Sequence, residues 1–208
     1  MTSKFVAKCK QITVNGQPKW IIRMRMTLRG FQDWNAHLYE TYAGTASRLS
    51  QKVVCSEVAC RPGWTIATLD VEKAFLQGMS YDDIRKRTGE PLREVYFTVP
   101  QGSAEILRLI PGYERYDERY HCLQCLVPGT GTADAPRAFN MKLTETLHAT
   151  RCGYKSCTMD PEVEFKHGAR GLEALAAKHV DDIKVGGLPA TIKPVSYTHL
   201  TLPTTPYV

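Results

Sequence analysis

The sequence predicts an α+β fold built on antiparallel sheet, and three observations carry that prediction. Two β-prone runs flank Asn15-Gly16 near the start, which reads as a hairpin. Two apolar runs bracket Asp181-Asp182 far along the chain, which reads as a second hairpin. Between them, strands and helices alternate without a regular βαβ repeat, which argues against a parallel α/β sheet.

The first hairpin is expected over residues 8–29, because Asn-Gly is a strong two-residue turn signal. Its second strand alternates, with Ile22, Met24, Met26 and Leu28 on one face and Arg23, Arg25, Thr27 and Arg29 on the other. That pattern predicts a guanidinium stripe over an apolar floor. Residues 43–59 carry apolar positions spaced for a helix, which Arg61-Pro62-Gly63 then breaks. Residues 65–71 are β-prone and place Asp70 at the strand's exit, with a tight turn or short helix at 72–76. The polar residues 81–93 are expected to form an exposed insertion in which Asp82-Asp83 is solvated surface, and residues 94–99 return to strand character.

Residues 135–149 read as an amphipathic helix with Pro136 in its first turn, and a further strand is expected near 162–165. The apolar runs 172–180 and 183–185 then form the second hairpin, with the two acids at its tip. Residues 196–208 are rich in Thr and Pro and carry no Lys, Arg, Asp or Glu, so 191–208 is set apart as a non-native or disordered tail.

Composition narrows the function classes. The chain has 208 residues, 43% of them hydrophobic, enough for one good-sized domain or two small ones. No run of eighteen apolar residues occurs and no apolar signal segment follows Met1, so a soluble, intracellular protein without membrane partners is expected. The seven cysteines are odd in number and irregularly spaced, which favours reduced thiols over a disulfide framework. Cys122 and Cys125 leave open a zinc site completed by His148, Cys152 or Cys157. The net charge of +6 is unevenly spread, since Lys4, Lys8, Lys10, Lys19, Arg23, Arg25 and Arg29 all precede the first acid, Asp33. Such an end suits an anion, and a merely solvated face is the ordinary alternative.

Two adjacent aspartates within a strand would point to opposite faces, so Asp181 and Asp182 can serve one site only from a turn. If Asp70 meets them, three carboxylates converge, and like charges that close need a hard cation. Magnesium suits such oxygen donors and keeps positions open for phosphate. Two ions about 3.5–4 Å apart activate an attacking hydroxyl and stabilise a leaving pyrophosphate. By spacing alone, Asp-Asp in a hairpin is usually just a turn.

Six segments, in order, resemble the copia-type retrotransposon reverse transcriptases. Residues 23–32 (R-M-R-M-T-L-R-G-F-Q) resemble that family's K-A-R-L-V-A-R-G-F-Q, and residues 69–78 (L-D-V-E-K-A-F-L-Q-G) its L-D-V-K-T-A-F-L-N-G. Glu94-Val95-Tyr96 with Pro100-Gln101-Gly102 resembles E-V-Y-M-x-Q-P-x-G-F, and residues 135–139 (A-P-R-A-F) resemble the start of its Q-A-P-R-A-W helix. Gly153-Tyr154-Lys155 with Asp160-Pro161 resembles G-F-K-x-S-x-x-D-P, and residues 179–182 (H-V-D-D) resemble Y-V-D-D. The chain departs from the pattern at His179, where the family has Tyr, and at residues 129–134, G-T-G-T-A-D in place of L-Y-G-L-K-Q.

The resemblance implies the fingers and palm of a right-hand polymerase over residues 1–190, with the thumb missing, and RNA-directed DNA synthesis. Asp70, Asp181 and Asp182 would be the catalytic, metal-binding carboxylates for two magnesium ions. Arg25 and Arg29 would contact the incoming deoxynucleoside triphosphate, since guanidinium forks match phosphate oxygens. Phe75 would exclude a ribose 2′-hydroxyl, and Gly131, Pro136 and Arg137 would support the RNA or DNA template-primer. The remaining partners implied are the rest of a retrotransposon polyprotein, in a cytoplasmic virus-like particle or the nucleus. A palm without its primer grip is expected to be nearly inactive, since phosphoryl transfer is mostly positioning. The competing expectations are a decayed element that binds nucleic acid through its basic hairpin without catalysis, and a cysteine-zinc module.

Overall fold

The computed structural model describes residues 1–14, 16–169 and 171–192, and the tail expectation for the end of the chain falls outside them from residue 193 onward. The fold is α+β, and every pair of named strands is antiparallel. The described residues divide into two compact units, each made of two separate stretches: residues 1–40 with 80–135, and residues 41–79 with 136–192.

In the first unit, β1 (Ser3–Val14) and β2 (Gln17–Leu28) form a long two-stranded ribbon. Val14 pairs with Gln17, which leaves two positions for the turn, and Gly16 there has φ 77°. The hairpin therefore forms where Asn-Gly predicted it, though it starts earlier, at Ser3. The apolar floor does not form: Ile22, Met24 and Met26 are 68%, 59% and 43% exposed, and of the four only Leu28 is buried. A floor needs a covering layer, and a lone ribbon has none.

The ribbon's base is stitched down by backbone. Leu28 N–H donates to the Thr130 carbonyl at 2.9 Å, and Arg29 N–H donates to the Thr2 carbonyl at 2.9 Å. The expected exposed insertion is a helix instead, α2 (Tyr81–Thr88), which buries Tyr81 and Ile84. Its start is fixed by a reciprocal cap: the Asp83 amide donates to Ser80 Oγ at 3.1 Å, and Ser80 Oγ donates to the Asp83 carboxylate at 2.7 Å. Asp83 is thus a capping residue, while Asp82 is surface. Short strands β4 (Val95–Phe97) and β5 (Leu123–Cys125) pair beyond it, with α3 (Ala104–Arg108) between them in sequence.

The second unit is a sheet covered on both faces. Its strand order is β3 (Thr65–Asp70), β9 (Asp182–Gly187), β8 (Gly171–His179), β7 (Val163–Gly168), β6 (Lys155–Ser156). On one face α4 (Ala135–His148) contributes Phe139, Leu143 and Leu147 to a core with Ala174, Ala176, Ile183 and Val185. On the other, α1 (Arg48–Cys60) sets Val54 against Leu175 and Ala177. Ser47 caps α1 by accepting the Ser50 amide at 3.0 Å, five residues later than the apolar spacing suggested. A side chain at Gly186 would collide with Val58, so this glycine is what lets α1 lie close against β9.

Candidate active site

The β8–β9 hairpin turns through Val180 and Asp181, because His179 pairs directly with Asp182. On the other side of β9, Asp182 pairs directly with Asp70, the last residue of β3. Residues paired across an antiparallel ladder share a face, so His179, Asp182 and Asp70 form one row across three strands. The next row along that face is Ala177, Lys184 and Thr68, and the one beyond it is Leu175, Gly186 and Ile66. Helix α1 covers the face at the Gly186 row, while Asp70, His179 and Asp182 are exposed.

Two strained residues flank this row. Val180 has φ 57° and Lys73, three residues past Asp70, has φ 53°, and no other described residue except glycine has positive φ. A β-branched side chain in the left-handed region is a genuine outlier, and such outliers gather at sites where surrounding structure forces the backbone. The Val71 amide donates to the Asp181 carbonyl at 3.3 Å, carrying the β3–β9 pairing into the turn.

The sequence therefore placed Asp70 at a strand exit and Asp181 at a hairpin tip, and the register brings Asp70 face to face with Asp182. The third carboxylate, that of Asp181, stays in the turn, and among the described residues no three His, Cys, Asp or Glu side chains are grouped so as to hold a metal. None of the three aspartates has an ion pair or a side-chain hydrogen bond among the described residues. Like charges directly opposed and without a cation disfavour the sheet edge they occupy. The donor set, carboxylate oxygen throughout, fits a hard cation such as magnesium. Cys122, Cys125, His148, Cys152 and Cys157 likewise form no metal-holding group among the described residues, and all seven cysteines are free.

Phe75 lies in a short 3-10 turn, Ala74–Gln77, half-buried and packed on the core that includes Val71, Ala74 and Phe139. Pro136 and Arg137 are half-buried in the first turn of α4. Gly131, with φ 101°, belongs to the first unit, where a side chain on it would run into the Leu28 carbonyl. It therefore lets the 129–132 loop lie against the foot of β2.

The guanidinium stripe is realised in part. Arg23 and Arg25 share a ribbon face with Lys4, Lys8, Lys10 and Lys19, whereas Arg29 lies beyond the end of β2. No acid occurs on either strand, Lys8 stands directly opposite Arg23, and none of these six cations has an ion pair among the described residues. The opposite face carries Phe5, Trp20, Ile22, Met24 and Met26, all more than 40% exposed.

Two buried ionic clusters have weaker sequence signals. In the first unit, Arg93, 6% exposed, binds Asp33 and lies 2.8 Å from Asp134, with the Tyr39 ring 4.9 Å away. In the second, Lys178, 1% exposed, lies 3.0 Å from Glu164 and 3.3 Å from Glu162. Both mark charges that sequence polarity alone would place at the surface. No family model, curated protein or solved structure matches the chain.

Proposed function

We propose that the chain performs, or descends from a protein that performed, magnesium-dependent nucleotidyl transfer of the copia-type reverse-transcriptase kind on an RNA or DNA template-primer. The observation that carries this reading is the register that sets Asp70 opposite Asp182 beside the strained Val180-Asp181 turn. In this reading the two units correspond to fingers and palm, and the acids belong to the palm. Asp70, Asp181 and Asp182 would hold two magnesium ions, which when bound activate the primer hydroxyl and stabilise the leaving pyrophosphate. Arg25, on an unneutralised basic face, would meet triphosphate or backbone phosphates, and Arg29 would do so from the loop that follows. Phe75 would act from its core-packed turn as the ribose gate, while Gly131, Pro136 and Arg137 would support the template-primer.

Six cations without acidic partners on one ribbon face favour a second reading, nucleic-acid binding without catalysis. Single-nucleotide incorporation from a labelled deoxynucleotide on primed RNA and DNA separates the two. The wild-type chain should show weak, magnesium-dependent incorporation, and Asp181→Asn with Asp182→Asn should lower it to about a hundredth or less while oligonucleotide binding persists. Incorporation that survives the double substitution overturns the catalytic assignment. Binding without any incorporation by wild type leaves only the second reading.

A further inference from the structure

Beside the carboxylate row, on the same face of the sheet, α1 and β9 border an open cleft of about 460 Å³ lined by Arg48, Gln51, Lys52, Cys55, Ser56 and Lys184. Three of the six are cations and none is an acid. Asp70 and Asp182 stand one row along the face from Lys184 and pair with none of the three cations, and the other nearby carboxylates are committed elsewhere. Glu57, the one acid on α1, binds Arg61 at 2.7 Å. Asp160, at the head of α1, accepts the Ser47 amide at 3.0 Å and the Ser50 hydroxyl. Arg48, Lys52 and Lys184 have no ion pair among the described residues. Three like charges round one concavity repel, and an anion relieves that repulsion.

We infer that this cleft binds backbone phosphate of a nucleic-acid strand running past the carboxylate row. Arg48 and Lys52 stand one helical turn apart along α1, and Lys184 is one row from Asp182 along β9, so the cations border an open cleft from two elements. An open cleft with cations on both sides suits a passing phosphate backbone, whereas a closed cage would suit a single free phosphate. Gln51 and Ser56 add uncharged hydrogen-bonding groups that carry no base preference. The choice of nucleic acid as the ligand rests on the proposed function.

Cys55 supplies a local reporter, because it is an exposed thiol in the cleft, and Cys60 and Cys122 are exposed thiols that do not line it. The experiment is maleimide labelling of the full chain in EDTA, resolved by peptide mass spectrometry, with a single-stranded oligonucleotide or inorganic pyrophosphate as the probe. The oligonucleotide should slow Cys55 labelling about tenfold at low salt while Cys60 and Cys122 are unaffected. Arg48→Gln, Lys52→Gln and Lys184→Gln together should abolish that protection and make the salt slope of oligonucleotide binding shallower by about two. Circular dichroism of the triple variant checks that it is folded, and the single Lys52→Gln, fully on the surface of α1, should weaken protection in the same direction.

No protection of Cys55, or undiminished protection in both the folded triple and the single variant, overturns the inference. Protection by pyrophosphate and not by oligonucleotide overturns it too, and reassigns the cleft to a free phosphate. Because the labelling uses neither metal nor nucleotide, Cys55 protection in a protein without incorporation activity defeats the polymerase reading alone.

Discussion

Lys178 offers the sharpest test of how the second unit is held together. Its ammonium lies 3.0 Å from Glu164 Oε1, 3.3 Å from Glu162 Oε2 and 2.7 Å from Thr144 Oγ1. Glu164 is 0% exposed, and its other contacts are the Ser156 hydroxyl at 3.0 Å and His148 Nε2 at 2.9 Å. Lys178→Met keeps the aliphatic stem and removes the ammonium, which strands a buried carboxylate. Breaking a buried pair from one side costs about 3–5 kcal/mol, and because Ser156 and His148 still contact Glu164, the lower end, about 3 kcal/mol, is expected. With a urea slope of about 2 kcal/mol/M, the unfolding midpoint should fall by about 1.5 M. The assay is equilibrium urea unfolding followed by Trp64 fluorescence, with exposed Trp20 and Trp34 replaced by Phe so that Trp64 reports alone. Adding Glu164→Gln removes the stranded charge and should restore about half of the loss. A midpoint shift below about 0.5 M, or a Glu164→Gln effect that adds to the loss, refutes the reasoning.

Gly186→Ala should destabilise by about 1–3 kcal/mol, because the new methyl collides with Val58, and Val58→Ala should relieve much of that in thermal unfolding. Burial pushes the Asp160 carboxyl up, but hydrogen bonds from the Ser50 hydroxyl and from the Ser47 and Glu162 amides outweigh it and hold the group below its ordinary value. A depressed folded-state value stabilises fully above the unfolded carboxylate range and is lost as pH falls through the depressed value, so Asp160→Asn should flatten the acid limb of stability against pH. Burial first, then the Asp134 charge, raises the Tyr81 phenol far above its ordinary value, and burial likewise raises Tyr154. Ultraviolet titration should find those two of the ten tyrosines un-ionised until the fold opens, and two fewer resistant groups in Tyr81→Phe with Tyr154→Phe. Val180→Gly should raise stability by about 1 kcal/mol, since relief of about 1–3 kcal/mol of left-handed strain exceeds the roughly 0.5–1 kcal/mol entropic cost of glycine. If catalysis depends on a fixed Asp181, the same variant should lose incorporation while becoming more stable.

What the sequence made legible is what local rules govern. Asn15-Gly16 fixes a two-residue turn, Arg61-Pro62-Gly63 ends a helix, and Asp181 beside Asp182 between apolar runs marks a hairpin tip. Each was visible because a single residue type restricts backbone at that point. The α2 helix was misread because its signal is a cap, Ser80 with Asp83, and its apolar face is only Tyr81 and Ile84 against a polar background. The exposed ribbon was misread for the opposite reason. Period-two alternation reports which side chains share a face, and it is silent on whether anything lies over that face. Arg93 and Lys178 were invisible because a buried charge is defined by partners distant in sequence: Arg93 lies sixty positions from Asp33.

The Asp70–Asp182 pairing sits between these cases. Local pattern placed each acid at the end of a strand, but a slip of one residue in β3 against β9 would have sent the two carboxylates to opposite faces. The register is held from the far end of the same pair of strands, where Gly186 sits under Val54 and Val58 of α1 and Gly187 lies against Ala174 and Ile192. A larger residue at either glycine would force the strand out of that seat. The geometry of the acids therefore depends on two glycines four and five residues along β9 from Asp182, Gly186 under α1 and Gly187 on the opposite face, which is why packing at that end of the strand and not the aspartates themselves decides whether the row can assemble.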